Sequence, residues 1–198
     1  RVSEDEWSFD FTVFDRFVGL FLENGSFRYI TMSAPIRSVT GGDIGGIGYD
    51  NKHESYKIFE PDAEKYARAL LTAVRDHFTE KGWLPMLTLR LEDEPHTTEY
   101  WKWLRDIVRE ILPGVPCGEP LDMHQSGKEL AGYCDVYIPR LEVYDEGADF
   151  YRARQAAGDT VWCYSCCFPE EPWYLNKFID LPASYSRLIK WACFSRGI

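Results

Sequence analysis

Apolar positions fall into two kinds of pattern that take turns along the chain. Between residues 9 and 22, Phe14, Phe17, Val18 and Phe21 share one helical face, and Asn24-Gly25 closes the helix. A second helix opens on Pro61, carries Ala63, Tyr66, Ala67, Leu70, Ala73 and Val74 as its stripe, and stops at Gly82. Helical spacing also predicts helices over 98–111, stopped by Pro113-Gly114, over 148–157 and over 182–196. Shorter β-rich runs predict strands over 27–32, 86–92, 115–119, 135–141 and 160–166, with Pro139 marking a strand end or a bulge. Gly41, Gly42, Gly45, Gly46 and Gly48 read as a long loop, either a lid over a cleft or a disordered segment. That loop has neither the Gly-Lys-Ser/Thr of a P-loop nor a dinucleotide fingerprint.

Strands separated by helices predict parallel pairing through crossover connections, so the fold class is α/β. About five strand–helix units are visible, where a closed barrel needs eight. The alternatives are an open α/β sheet and a TIM-barrel-like (β/α) domain over 1–198 that is incomplete, lacking its first and last strands; the second accounts better for the abrupt termini and is the prediction. Uncovered sheet edges would then favour self-association.

Composition narrows the partners. A chain of 198 residues that is 45% hydrophobic can bury one sizeable core. A net charge of −10 argues against nucleic acid or an anionic membrane surface, which need a basic face. Charges interrupt every apolar run before it reaches membrane-spanning length. The start, Arg1-Val-Ser-Glu-Asp-Glu, has no signal-peptide core and reads as a cut through a longer chain. Aromatic residues make up 16%, enough to supply flat faces for sugar C–H groups as well as a core. Of the six cysteines, Cys163 and Cys166 form the one Cys-x-x-Cys, whereas a structural zinc site takes two such pairs. The cysteines are therefore read as free thiols, with no metal and no cofactor.

Leu84-Pro-Met-Leu-Thr-Leu-Arg-Leu-Glu-Asp93-Glu94-Pro95 concentrates the candidate chemistry. An apolar strand runs into adjacent carboxylates at its carboxyl end, where α/β enzymes place catalytic groups. Paired acids can separate their pKa values so that one donates a proton while the other stays ionised. The competing reading is a solvated strand end beside a helix N-terminus, which also favours acids. Strict alternation sends Asp93 and Glu94 to opposite faces, so both reach one cleft only if the strand ends or bulges there. Tyr137, Trp162 and Tyr164 are candidates for a sugar platform or a hydroxyl donor, with core packing as the alternative. His96 is either a substrate contact or a surface histidine, and His124 with Asp122 is a weaker pair. Asn24-Gly25-Ser26 fits a glycosylation sequon but is first a turn signal.

Two blocks resemble a known family. Tyr66-Ala-Arg-Ala-Leu-Leu through His77-Phe-Thr-Glu-Lys-Gly-Trp83, then Asp93-Glu94-Pro95-His96, is similar to the catalytic domain of glycoside hydrolase family 123 and its uncharacterised relatives. So is Val161-Trp-Cys-Tyr-Ser-Cys-Cys-Phe-Pro169 with Pro172, Asn176, Phe178-Ile-Asp180 and Arg187. The resemblance implies a (β/α) barrel and hydrolysis of a β-linked 2-acetamido sugar of the N-acetylgalactosamine type. It implies substrate-assisted retaining catalysis, an exception to the two-carboxylate scheme. Asp93 would orient the acetamido group, and Glu94 would protonate the leaving oxygen and then activate water. An extracellular or periplasmic location is implied by the family alone. The alternatives are a non-catalytic carbohydrate-binding barrel, or an inactive fragment of a longer enzyme.

Overall fold

The structure is a computed structural model that describes residues 6–33, 37–39, 43–47, 53–169 and 174–198. The chain forms two compact units, Arg1–Glu92 with Glu99–Pro116, and Asp93–Thr98 with Cys117–Ile198.

In the first unit the elements are α1 (Thr12–Asn24), β1 (Ile30–Ser33), β2 (Arg37–Val39), β3 (Asp43–Ile47), β4 (His53–Lys57), α2 (Pro61–Glu80), β5 (Leu87–Arg90) and α3 (Glu99–Ile111). β1 and β5 run parallel, with Ile30 opposite Leu87 and Ser33 opposite Arg90. The hydroxyls of Thr31 and Thr88 meet across the pair at 2.8 Å. Helix α2 begins on Pro61, whose missing N–H would have no partner in a first turn anyway. Its stripe of Ala63, Ala67, Leu71, Val74 and Phe78 is wholly buried, as are Trp101, Leu104 and Val108 of α3. The small alanines let α2 lie close to its neighbours while the larger members fill the core. Gly82 and Gly114 follow these two helices with φ of +71° and +83°, a conformation that costs a side chain.

The strands predicted over 27–32 and 86–92 are shorter or shifted, at Ile30–Ser33 and Leu87–Arg90, and larger differences lie in α1 and the Gly-rich stretch. The predicted helix over 9–22 starts later, at Thr12, and of its apolar residues only Val18 is buried. An ion cluster anchors it, with His77 Nε2 and Lys81 Nζ each 2.6 Å from an Asp15 carboxylate oxygen. The Gly-rich stretch read as a loop contains β2, β3 and β4, paired antiparallel. Gly45 and Gly46 are strand residues, and glycine weakens the periodic signal by which a strand is recognised. Gly41, Gly42 and Gly48 lie outside the described residues.

The second unit contains β6 (Cys117–Leu121), α4 (His124–Glu129), β7 (Val136–Pro139), α5 (Leu141–Glu146), α6 (Ala148–Ala156), β8 (Thr160–Val161) and α7 (Ala183–Ser195). β6, β7 and β8 are parallel, with Gly118 opposite Val136 and Tyr137 opposite Val161. A Cβ on Gly118 would lie 2.8 Å from the Val136 Cβ, so this pairing requires glycine. The predicted strand over 160–166 pairs only through Val161 and then touches once more, as a parallel bridge from Tyr164 to Arg140. Tyr144, Tyr151 and Tyr137 form the aromatic centre of the unit, with Tyr144 and Tyr151 stacked at 5.5 Å. The end of α7 is fixed by Arg196, which pairs with both Asp145 oxygens at 2.6 and 2.7 Å. The Tyr144 hydroxyl donates to the Arg196 carbonyl at 3.1 Å.

Across the described residues the α/β class holds: parallel strand pairs and seven α-helices, plus the antiparallel β2–β3–β4 set. No helix among them is long and apolar enough to cross a membrane.

Candidate active site

The acidic pair sits past the strand. β5 ends at Arg90, and Asp93 and Glu94 lie in the irregular turn before α3. Glu94 has φ of +52°, one of two non-glycine residues with positive φ among the described residues. A left-handed backbone costs a side chain about 1–2 kcal/mol and is characteristic of sites where a group must be aimed. The alternation that would separate Asp93 from Glu94 therefore does not apply, because neither residue is on a strand. Asp93 is exposed, Glu94 half-buried and Pro95 buried.

Glu94 is met by a donor from the segment after β8. The Tyr164 hydroxyl donates to Glu94 Oε1. Tyr164 is placed by its own backbone N–H, which reaches the Pro139 carbonyl at 3.3 Å. Burial, and then the bond to Glu94, push the Tyr164 hydroxyl pKa well up, so it stays a proton-bearing donor.

Behind Tyr164 stands Arg140, directly after β7. Its guanidinium lies 2.6 Å from Glu142 Oε1, donates to the Asp122 carbonyl at 3.1 Å and sits 5.0 Å from the Phe168 ring centroid. Burial alone would lower the Arg140 pKa, but the charge and hydrogen bond of Glu142, with the charge of Asp122, outweigh it and raise the value. The carboxylate of Asp122 meets His96 Nε2 at 2.9 Å. Arg140 and Glu142 carry no motif. The signal that could have found Arg140 is a charge following the proline that ends a strand.

The sequence candidates divide. Asp93, Glu94, His96 and Tyr164 belong to this second unit and to the neighbourhood just described. Trp162 is 36% exposed, and its backbone N–H is held by the Tyr137 carbonyl at 2.9 Å. Tyr137 itself is wholly buried, and its hydroxyl donates to the Leu130 carbonyl at 3.2 Å. That is a packing role, and no sugar can stack on its ring. His124 packs its ring edge against Phe150 and Tyr151, and burial lowers its pKa. Asn24 ends α1, with its amide donating to the Leu20 carbonyl at 2.7 Å, the turn role anticipated for it. Asn176 is almost wholly buried and donates to the carbonyls of Cys166 and Pro169 at 3.2 and 2.9 Å, fixing the segment after Tyr164. Pro172 lies outside the described residues. Among the described residues no three His, Cys, Asp or Glu side chains are grouped so as to hold a metal.

An ionisable carboxyl with a fixed hydroxyl donor, a second carboxylate next to it in sequence and exposed aromatic faces can protonate a leaving oxygen and bind a sugar. The family model for the catalytic domain of glycoside hydrolase 123 matches residues 1–198. No curated protein matches the chain. Among solved structures, the chain is similar to a family 123 glycoside hydrolase from Clostridium perfringens, studied for the details of glycolipid glycan hydrolysis. The TM-score is 0.64 at 18% identity, covering 80% of this chain and 30% of that one. This chain thus spans less than a third of that protein's length, and at such identity the likeness is one of fold.

Proposed function

The chain belongs to the catalytic-domain family of glycoside hydrolase 123, and on that premise we propose that it is part of a hydrolase cleaving a β-linked 2-acetamido sugar of the N-acetylgalactosamine type. The observation that carries the reading is the left-handed Glu94 with the Tyr164 hydroxyl on its carboxylate, next in sequence to an exposed Asp93.

The proposed mechanism needs no protein nucleophile. The substrate's acetamido oxygen attacks the anomeric carbon while its N–H is held by Asp93, whose negative charge offsets the positive oxazolinium that forms. Glu94 gives its proton to the leaving oxygen and then takes one from the water that opens the ring. Two displacements at one carbon return the original anomer, so the reaction retains configuration. Tyr164 steadies the Glu94 carboxyl in both half-reactions. His96 and Trp162 are assigned to the sugar's surroundings, Trp162 as the stacking face. A TIM-barrel-like (β/α) arrangement is part of this proposal.

Variants at the acidic pair test the roles. Glu94→Gln should slow substrates with poor leaving groups by on the order of 10²–10⁴-fold. An aryl glycoside with an activated leaving group should lose much less, because its oxygen needs little protonation. Asp93→Asn should slow both kinds of substrate, since it acts on ring closure. Full activity in both variants would return the pair to a solvated strand end.

A further inference from the structure

The six cysteines offer chemistry that hydrolysis does not use, and their surroundings separate them. Cys117 and Cys134 are buried, Cys163 and Cys193 are half-buried, and Cys166 and Cys167 are exposed. Burial holds the Cys134 thiol well above its ordinary pKa. Burial and the neighbouring Cys193 push Cys163 up to about 12. A small thiol reagent in solution therefore meets the adjacent pair first.

The pair is built to meet itself. The Cys167 thiol points at the Cys166 sulfur, 3.9 Å away. A disulfide bond is about 2.05 Å long, so closure asks for an approach of roughly 2 Å. The surrounding backbone is tied down, with Cys166 N–H donating to the Phe168 carbonyl at 3.0 Å. The buried Asn176 amide spans the carbonyls of Cys166 and Pro169. Closing the eight-membered ring takes side-chain rotation and a twist of the peptide between the two cysteines, because adjacent Cα atoms about 3.8 Å apart lie inside the usual disulfide span. The hydrogen bond that Cys167 gives to Cys166, and then burial, raise the Cys167 pKa, so Cys167 rests as a protonated thiol.

We propose that Cys166 and Cys167 form a thiol–disulfide exchange site that takes a low-molecular-weight disulfide and closes to a vicinal disulfide. One cysteine, after losing its proton, attacks a sulfur of the small disulfide; the S–S bond breaks, a protein–small-molecule disulfide forms and one thiol leaves. The second cysteine, deprotonated in turn, attacks the protein sulfur of that mixed disulfide and expels the second thiol. The cysteine pair is oxidised by two electrons and the small disulfide is reduced to two thiols. The site adjoins Tyr164, the donor to Glu94, but its thiol chemistry does not rest on the hydrolytic reading.

The test is to incubate the reduced protein with oxidised glutathione, block free thiols by alkylation and read the cysteine peptides by mass spectrometry. The expected result is loss of two hydrogens from the peptide carrying Cys166 and Cys167, with no retained glutathione and full reversal by dithiothreitol. Because Cys163 shares that peptide, Cys163→Ser should close as the native protein does. Cys166→Ser and Cys167→Ser should each retain glutathione on the remaining cysteine, having lost the resolving thiol. A stable glutathione adduct on the native protein, a Cys163–Cys193 cross-link in place of the adjacent pair, failure of Cys163→Ser to close, or no reaction would each overturn the proposal.

Discussion

Two stretches of the second unit carry aromatic residues and use them in opposite ways. From Tyr137 to Tyr151 the rings turn inward; Tyr137, Tyr144 and Tyr151 are essentially inaccessible and contact one another edge-on or stacked. From Trp162 to Phe168 they turn outward, with Trp162 at 36% and Phe168 at 43% exposure, and Tyr164 gives its hydroxyl to Glu94. The difference follows the backbone. The first stretch is paired or helical along most of its length, through β7, α5 and α6. The second keeps its strand pairing only to Val161 and one bridge at Tyr164. Rings on paired backbone pack into the core, and rings on backbone that has left the ladder become available to a ligand.

The comparison is broken most forcefully in its core half. Tyr151→Ala should destabilise the fold by roughly 3–5 kcal/mol, the range for deleting a large buried ring, read as a lower denaturant midpoint at unchanged slope. Trp162→Ala should cost stability less than about 0.5 kcal/mol. It should instead weaken sugar binding by about 0.5–1.5 kcal/mol, the worth of an aromatic contact, seen as a raised KM at near-constant kcat. Equal stability losses in the two variants would erase the distinction between the stretches.

How much of this was legible depends on how long a pattern persists. The stripes of α2 and α3 recur over several turns, and both helices lie within about two residues of their predicted bounds. The run over 160–166 has the composition of a strand, yet its partner β7 stops at Pro139, so the ladder has little left to pair with. α4 and α5, six residues each, are too short for periodicity to show. At the site, Asp93 and Glu94 stood out because two acids ended an apolar run. The meeting of Glu94 with Tyr164 was not legible, because it depends on the positive φ of Glu94 and on a contact 70 residues apart. Tyr137 and Tyr164 looked alike as strand tyrosines, and what separates them is depth, strand pairing and the partner of each hydroxyl.

A smaller effect sharpens the comparison through pH. The bond from Arg196 holds the Asp145 carboxyl below its ordinary value of 3.8, tying the end of α7 to α5. A carboxyl with a depressed folded pKa contributes stability that is complete above the unfolded value and fades as pH falls through the folded one. The melting temperature of the native protein should therefore exceed that of Asp145→Asn near neutrality, and the gap should close as pH drops below about 4. A gap independent of pH would assign the difference to packing rather than to the ion pair.

The central claim is that the nucleophile belongs to the substrate. Its most direct measurement compares an aryl β-N-acetylgalactosaminide with the matching aryl β-galactoside, following product configuration by proton NMR. The account predicts turnover of the acetamido sugar with the β-anomer released first, and no turnover of the plain galactoside. Efficient hydrolysis of the plain galactoside would contradict it and require a protein nucleophile.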